Sequence, residues 1–380
     1  MAKNDNDVLG FFKAYIEAED VLDEFRTADQ LPDVTAISTG SISLDTALCS
    51  GGYPKGRITQ LYGSSGCGKS LLAMIGIYNA QKDDPEAKQV WLDAEQTFNS
   101  SWAETLGIDT RKVVVVSGER ATNGRECFEL LLGVPKEDAK THILAGKKKE
   151  GLLDKIASKE LNINFIVLDS LGALIPPIED VAIVGKAGMA TLPRFLRKKK
   201  KKMSLEVYKA NVPLVVINHK RDNMDPYAAS NHSFIGGNSY SHFLSVNIYV
   251  EAVGKKDTQI LDDKENKVGH TIRATTEKSK FGPWPRRCEF KIDFRCGIVD
   301  THEEIIQVAL EKDIIIKPTT MSYEFGDKKW VGMPKLVEAV KEDFELQNAL
   351  VEKIKETLVK KTPKIETEEV KVSKRKKKEE

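Results

Sequence analysis

The chain contains no apolar run of about 18 residues, the length a bilayer-spanning helix demands, and its start, MAKNDNDVLG, lacks the basic-then-apolar order of a secretion signal. Neither a membrane span nor export is expected, and the cytoplasm is the expected compartment. Cysteine is sparse. Cys49, Cys67, Cys127, Cys288 and Cys296 are odd in number, scattered, and include no C-x-x-C pair. That argues against a disulfide framework and a zinc site, and leaves ordinary thiols. An excess of one charge is missing too, since 58 Lys and Arg against 57 Asp and Glu leave a formal net charge of +1. The balance is not uniform: Arg197 to Lys202 is an unbroken cationic run, and the chain ends in KVSKRKKKEE. Partners are therefore to be read from local patches. No internal repeat stands out.

What is present is a chain of 380 residues with 41% apolar content, enough for one large α/β domain and a smaller unit. Residues 1–34 open with Val8, Leu9, Phe11, Phe12, Tyr15 and Ile16 at helical spacing, then turn acidic in EAEDVLDEF. This reads as a helical arm whose apolar stripe either a neighbouring subunit or the chain's own core could bury. Residues 35–300 alternate β-rich runs with helical or loop segments, the pattern of a mainly parallel, twisted sheet covered by helices. The expected strands are RITQLY, KQVWLD, KVVVVS, NFIVLD, VPLVVIN and VNIYVEA, with HTIRATTEK and CEFKIDF as an antiparallel extension. Residues 301–358 suit a small C-terminal helical appendix, interrupted by the turn-rich KPTTMSYEFGDKKWVGM. Residues 359–380 are dense in charge and poor in apolar residues, so a disordered tail is expected.

The motif that carries chemistry is GSSGCGKS, which reads G-x-x-x-x-G-K-S between the apolar RITQLY and the helical SLLAMIGIYNAQ. Such a loop turns successive N–H groups of Gly63, Ser64, Ser65, Gly66, Cys67 and Gly68 toward phosphate oxygens at a helix N-terminus. Lys69 would reach the β- and γ-phosphates and Ser70 would ligate Mg²⁺, so ATP with Mg²⁺ is the expected cofactor. Asp169, at the end of NFIVLDS, supplies the carboxylate that holds the metal through water. Asp93 and Glu95, in QVWLDAE, each offer a carboxylate to polarise the attacking water, and spacing alone does not choose between them.

Several separated blocks then agree in order and spacing. AISTGSISLDTALCSGGYPKGRITQLYGSSGCGKS, VWLDAEQTFNSSWAETLGID, NFIVLDSLGAL, VVINHKRDNM, IGGN and TEKSKFGP together resemble the RecA-type strand-exchange recombinases from about residue 35 to 300. KMSLEVYKANVPLVVINH and EKSK resemble the phage UvsX-like branch more than the bacterial one. The resemblance implies a RecA-like P-loop NTPase core in which Glu95 activates the hydrolytic water, leaving Asp93 a supporting acid. It implies that Trp102 stacks on the adenine, and that Lys278 and Lys280 reach across a filament interface to a neighbour's ATP. His219 stands where the family carries a polar γ-phosphate sensor, commonly a glutamine.

PPIEDVAIVGKAGMATLPRFLRKKKKKM and KRDNMDPYAASNHSFIGGN leave the sheet at strand ends, where α/β proteins place ligands. The resemblance makes them two DNA-contacting loops, with Met189 an apolar wedge and Arg194, Arg221, Gly236 and Gly237 clasping the backbone. The implied partners are single-stranded DNA first and duplex DNA second, a homo-oligomeric helical filament, and single-strand-binding and loading proteins. The run 197–202 is read as a secondary site for duplex DNA. The basic tail, SKRKKK, departs from the acidic tail of bacterial members; if it contacts DNA or a partner, its deletion alters salt tolerance without abolishing ATP binding. The implied function is a DNA-dependent ATPase that pairs and exchanges strands in recombination and repair. A RecA-fold ring helicase, a P-loop kinase and an ATP-dependent assembly protein are the alternatives. With a histidine as sensor, coupling is expected to vary with pH. Hydrolysis rates that track only metal and substrate between about pH 6 and 8 would count against it.

Overall fold

The computed structural model describes residues 33–134, 150–175, 191–222, 232–254 and 258–359. Nearly all of the expected arm, Met189, and the expected tail beyond Val359 lie outside the described residues. Contacts divide the chain into Met1–Thr35 and Ala36–Glu380, and every element named below belongs to the second unit.

In chain order the elements are β1 (Ala36–Ile37), α1 (Ile42–Leu48), β2 (Tyr53–Pro54), β3 (Ile58–Gly63), α2 (Lys69–Asp83), β4 (Lys88–Asp93), α3 (Ser100–Thr105), β5 (Val113–Val116), α4 (Glu119–Thr122), α5 (Gly124–Leu132), α6 (Leu152–Ala157) and β6 (Ile163–Asp169). There follow α7 (Thr191–Ala210), β7 (Leu214–Asp222), β8 (His232–Phe234), α8 (Gly237–Ser241), β9 (Val246–Ala252), β10 (Gln259–Leu261), β11 (Lys267–Ser279), β12 (Arg286–Asp293) and β13 (Gly297–Val299). The order across the large sheet is β13-β12-β11-β9-β3-β7-β6-β4-β5, with β10 on β11 and β8 on β7. From β9 to β5 neighbours run parallel, and from β9 to β13 they run antiparallel. The α/β class, the parallel core and its antiparallel extension are thus as the sequence suggested.

The parallel strands read as continuous apolar runs because both faces of the sheet are covered. Side chains alternate between the faces. Trp91, Phe165, Val167, Val215 and Ile217 join the buried face of α2, while Val90, Leu92, Ile166, Leu168, Leu214 and Val216 meet α5, α6 and α7. In α7 the spacing of Leu192, Phe195, Leu196, Met203 and Val207 aims one stripe at that second layer. A third cluster, Ile305, Ile306, Ile315, Tyr323, Leu336, Val340, Leu350 and Ile354, gathers α9 (Thr301–Glu311), α10 (Met333–Glu342) and α11 (Phe344–Val359). The turn-rich segment within it forms a hairpin, β14 (Ser322–Phe325) with β15 (Lys328–Val331), around the turn Gly326. Glu304 of α9 is buried and accepts hydrogen bonds from the Ser41 and Ser43 hydroxyls (2.5 and 2.8 Å), which ties α9 to the start of α1.

The contact between α2 and the sheet depends on Gly76. A Cβ there would lie 2.7 Å from Phe165 Cζ and 2.9 Å from Tyr53 Cε2, two buried rings in edge-to-face contact. Gly76→Ala gains about 1 kcal/mol of helix propensity but incurs roughly 1–3 kcal/mol of overpacking. A net loss is expected in urea unfolding midpoints; a variant more stable than wild type would show that the helix shifts freely.

Candidate functional site

The loop Gly63–Gly68 joins the buried β3 to the N-terminus of α2, so the helix dipole and free N–H groups face its mouth. Ser64, Ser65 and Gly66 are exposed there. Gly66 has φ +72° and open space around it. Gly68, at φ +96°, has no room for a side chain: a Cβ there would lie 2.8 Å from Ile272 Cδ1 on the antiparallel extension. Lys69 is buried, and its Nζ donates to the Ser64 carbonyl (2.7 Å) and the Gly63 carbonyl (3.2 Å). The cation is thus folded back over its own loop, within reach of anything the loop cradles.

Parallel register brings the rest together. Gly63 lies opposite His219 across β3 and β7, and Asp93 lies opposite Asp169 across β4 and β6. Ser70 Oγ donates to Asp169 Oδ2 (2.9 Å). Burial pushes the Asp169 carboxyl up to about 6, with Glu95 and Asp93 acting in the same direction against Ser70 and Lys69. A carboxylate so costly to ionise gains from a nearby divalent cation, and a paired Ser and Asp suit Mg²⁺. Among the described residues no group of three or more His, Cys, Asp and Glu could hold a metal. Phosphate oxygens and water would complete the coordination, the usual habit of Mg²⁺.

Glu95 follows β4, its N–H donating to the Asp169 carbonyl (3.1 Å). Its carboxylate accepts from the Ser170 hydroxyl and lies 2.6 Å from His219 Nε2. Burial acts to raise this carboxyl, but the bonds from Ser170 and His219, with the charge of His219 and Lys69, hold it below its ordinary value. It is an oriented, ionised acceptor. Asp93 instead accepts the Thr97 and Phe98 N–H groups (3.1 and 2.9 Å) and shapes the loop that follows it. His219 meets Glu95 in this structure, a contact that the sequence did not suggest.

The other expected residues stand apart from this cluster. Trp102 is half-buried on α3, whose start is capped by Asn99, and its indole N–H donates to the Phe294 carbonyl (2.6 Å). Lys278 Nζ donates to the Ser241 and His242 carbonyls (2.7 and 3.2 Å) at the end of α8. Burial, with Lys280 beside it, depresses its ammonium. Lys280 is exposed on the rim of a cavity of about 530 Å³ that Lys201, Leu205 and Tyr208 also line. Arg194 is exposed near the start of α7 and Arg221 at the end of β7. Gly236 and Gly237 open α8 with φ +120° and +70°. The cationic run is spread around α7: Arg197, Lys198 and Lys201 are exposed, whereas Lys202 Nζ donates to the Leu132 carbonyl (2.7 Å) at the C-terminus of α5. Ser170 was missed by sequence reading; its only signal was its place directly after Asp169.

A family model described as the RecA N-terminal domain matches residues 19–137 and 145–299. The chain belongs to the RecA family. It is 30% identical over 87% of its length to Protein RecA of Porphyromonas gingivalis, covering 87% of that protein. It is 31% identical over 87% of its length to Protein RecA of Chloroherpeton thalassium, covering 83% of that relative, and 28% identical over 84% to Protein RecA of Leptospira meyeri, covering 72%. The residues matched by the family model include both the GSSGCGKS loop and the Glu95–His219 cluster. No helix among the described residues is long and apolar enough to cross a membrane.

For this RecA-family chain, Trp102→Ala is expected to weaken ATP binding about tenfold, and Trp102→Phe much less, if the indole turns onto the base. Calorimetric titration checks this; equal affinity in all three proteins would put the adenine elsewhere.

Proposed function

We propose that this chain is an ATP-dependent recombinase that assembles on single-stranded DNA, pairs it with a homologous duplex and exchanges strands. RecA-family proteins are DNA-dependent ATPases that bind nucleotide with Mg²⁺ and form filaments on single-stranded DNA. In this reading Gly63–Ser70 holds the triphosphate, Ser70 and Asp169 hold Mg²⁺, and Lys69 neutralises the transferring phosphoryl. Glu95 orients the attacking water, and His219 and Ser170 hold Glu95. Lys278 and Lys280 act on a neighbour's nucleotide. Arg194, Arg221, Gly236 and Gly237 serve the DNA backbone, and Met189 separates bases. Binding is then tolerant of sequence and weakens steeply with salt. Kinship to the phage UvsX-like branch, read from KMSLEVYKANVPLVVINH and EKSK, belongs to the same proposal, as do the polymerisation role of residues 1–34 and the division at residues 300 and 358.

The observation that carries the reading is the ionised Glu95, fixed from two sides and placed just after β4, beside Asp169 at the end of β6 and Lys69 and Ser70 at the start of α2. A kinase would have no use for a water-orienting carboxylate so placed, and the ring-motor alternative is disfavoured by relatives that match over most of both chains. ATP hydrolysis by wild type and Glu95→Gln, with and without single-stranded DNA, tests it. Expected are strong stimulation in wild type and a loss of about 10²–10³-fold in the variant with DNA binding retained. Hydrolysis indifferent to DNA would overturn the coupling.

A further inference from the structure

Three of the amides buried in the sheet stand on adjacent strands: Gln60 on β3, Asn218 on β7 and Asn247 on β9, with 0%, 0% and 5% exposure. Unpaired, each would be a heavy burden on the core. Paired, they form a row across the sheet. Asn218 Nδ2 donates to Gln60 Oε1 (2.9 Å), Gln60 Nε2 to Asn247 Oδ1 (2.8 Å), and Asn247 Nδ2 to Glu277 Oε2 on β11 (3.2 Å). Asn218 also donates to the Ile235 carbonyl (2.7 Å) and accepts the His219 N–H (2.9 Å). Every amide uses both ends, so the row has one direction, and turning any amide sets like against like on both sides.

The two ends of this row are the informative part. At one end, His219 follows Asn218 directly and meets Glu95 at 2.6 Å. At the other, Glu277 directly precedes Lys278, accepts the hydroxyl of Tyr62 next to Gly63, and lies 3.1 Å from His232 Nε2. The His232 ring stacks on Tyr249 with centroids 4.0 Å apart. His219 and His232 stand on the two strands of one hairpin, β7 with β8, paired from Lys220↔Phe234 to Asp222↔His232. That hairpin carries Arg221 and leads into Gly236–Gly237, the residues assigned above to DNA. One element is therefore fastened at two points, to the carboxylate beside the phosphate loop and to the strand of the trans-acting lysines.

We propose that Glu277 and His232 are positioning residues that couple DNA at the β7–β8 hairpin to ATP hydrolysis, acting through the Asn247–Gln60–Asn218 row on Glu95 and directly on Lys278. The proposal rests on the ATPase reading. A movement of the hairpin changes the partner of Glu277, and the row, which tolerates one direction only, passes the change to the seat of His219.

The test is a double-mutant cycle of His232→Ala, Glu277→Ala and the pair, with hydrolysis measured with and without single-stranded DNA. Expected are DNA-free rates within about twofold of wild type and a DNA-stimulated kcat lower by roughly tenfold in either single variant, the scale of a hydrogen bond to a charged group. The double variant should be no worse than Glu277→Ala alone, because that variant has already lost the His232–Glu277 contact. The KM for ATP and the affinity for DNA should move less than about twofold. Glu277→Gln, which keeps an acceptor for Tyr62, should restore part of kcat; if Glu277→Ala fails to fold, it replaces that variant in the cycle. Multiplicative losses in the double variant, or full stimulation in His232→Ala, would overturn the relay alone. A wild type that DNA does not stimulate would overturn the ATPase reading and the relay together.

Discussion

The parallel register of β3, β7, β6 and β4 is the constraint on which the site depends. It fixes Gly63 beside His219 and Asp169 beside Asp93 at one edge of the sheet, so residues far apart in sequence share a few ångströms. A shift of any strand by one residue would turn its functional side chain to the opposite face. The two buried layers prevent that shift, since alternate residues of every strand are committed to different cores. Packing energy thus maintains the alignment of polar groups that contribute little to stability themselves.

Electrostatics then divides the acids by environment. Asp169, sealed by burial, is poorly suited to ionise alone, whereas Glu95, half-exposed and hydrogen-bonded, is held ionised. Asp93 is spent on backbone N–H groups of its own loop. Three carboxylates in one crevice therefore have three different environments, and Lys69, whose charge favours ionisation of both Glu95 and Asp169, rests on the loop carbonyls.

The same logic extends across the sheet. Buried amides are tolerated only as a fully paired set, and such a set has a fixed direction that an apolar core lacks. Lys202 shows the converse for the surface: one member of a conspicuous cationic run is occupied with a helix C-terminus, so charge density in the sequence overstates what DNA could meet.

Sequence by itself determined the order and type of the core strands, the phosphate loop and its helix, and the family, because strand periodicity and glycine-rich turns are local properties. It also placed Lys69 and Ser70 at the start of the helix after the loop, and Asp169 and Glu95 at strand ends. The hairpin Ser322–Val331 was hidden in its turn-rich composition, which reads alike for a loop and for a tight two-stranded turn. Only the tertiary structure decided that His219 meets Glu95, that Ser170 supports it, and that Gln60, Asn218, Asn247 and Glu277 form one row. Periodicity tells which face a side chain points to but not which strand lies beside it; that choice follows from crossover connections and from burying both faces of the sheet at once.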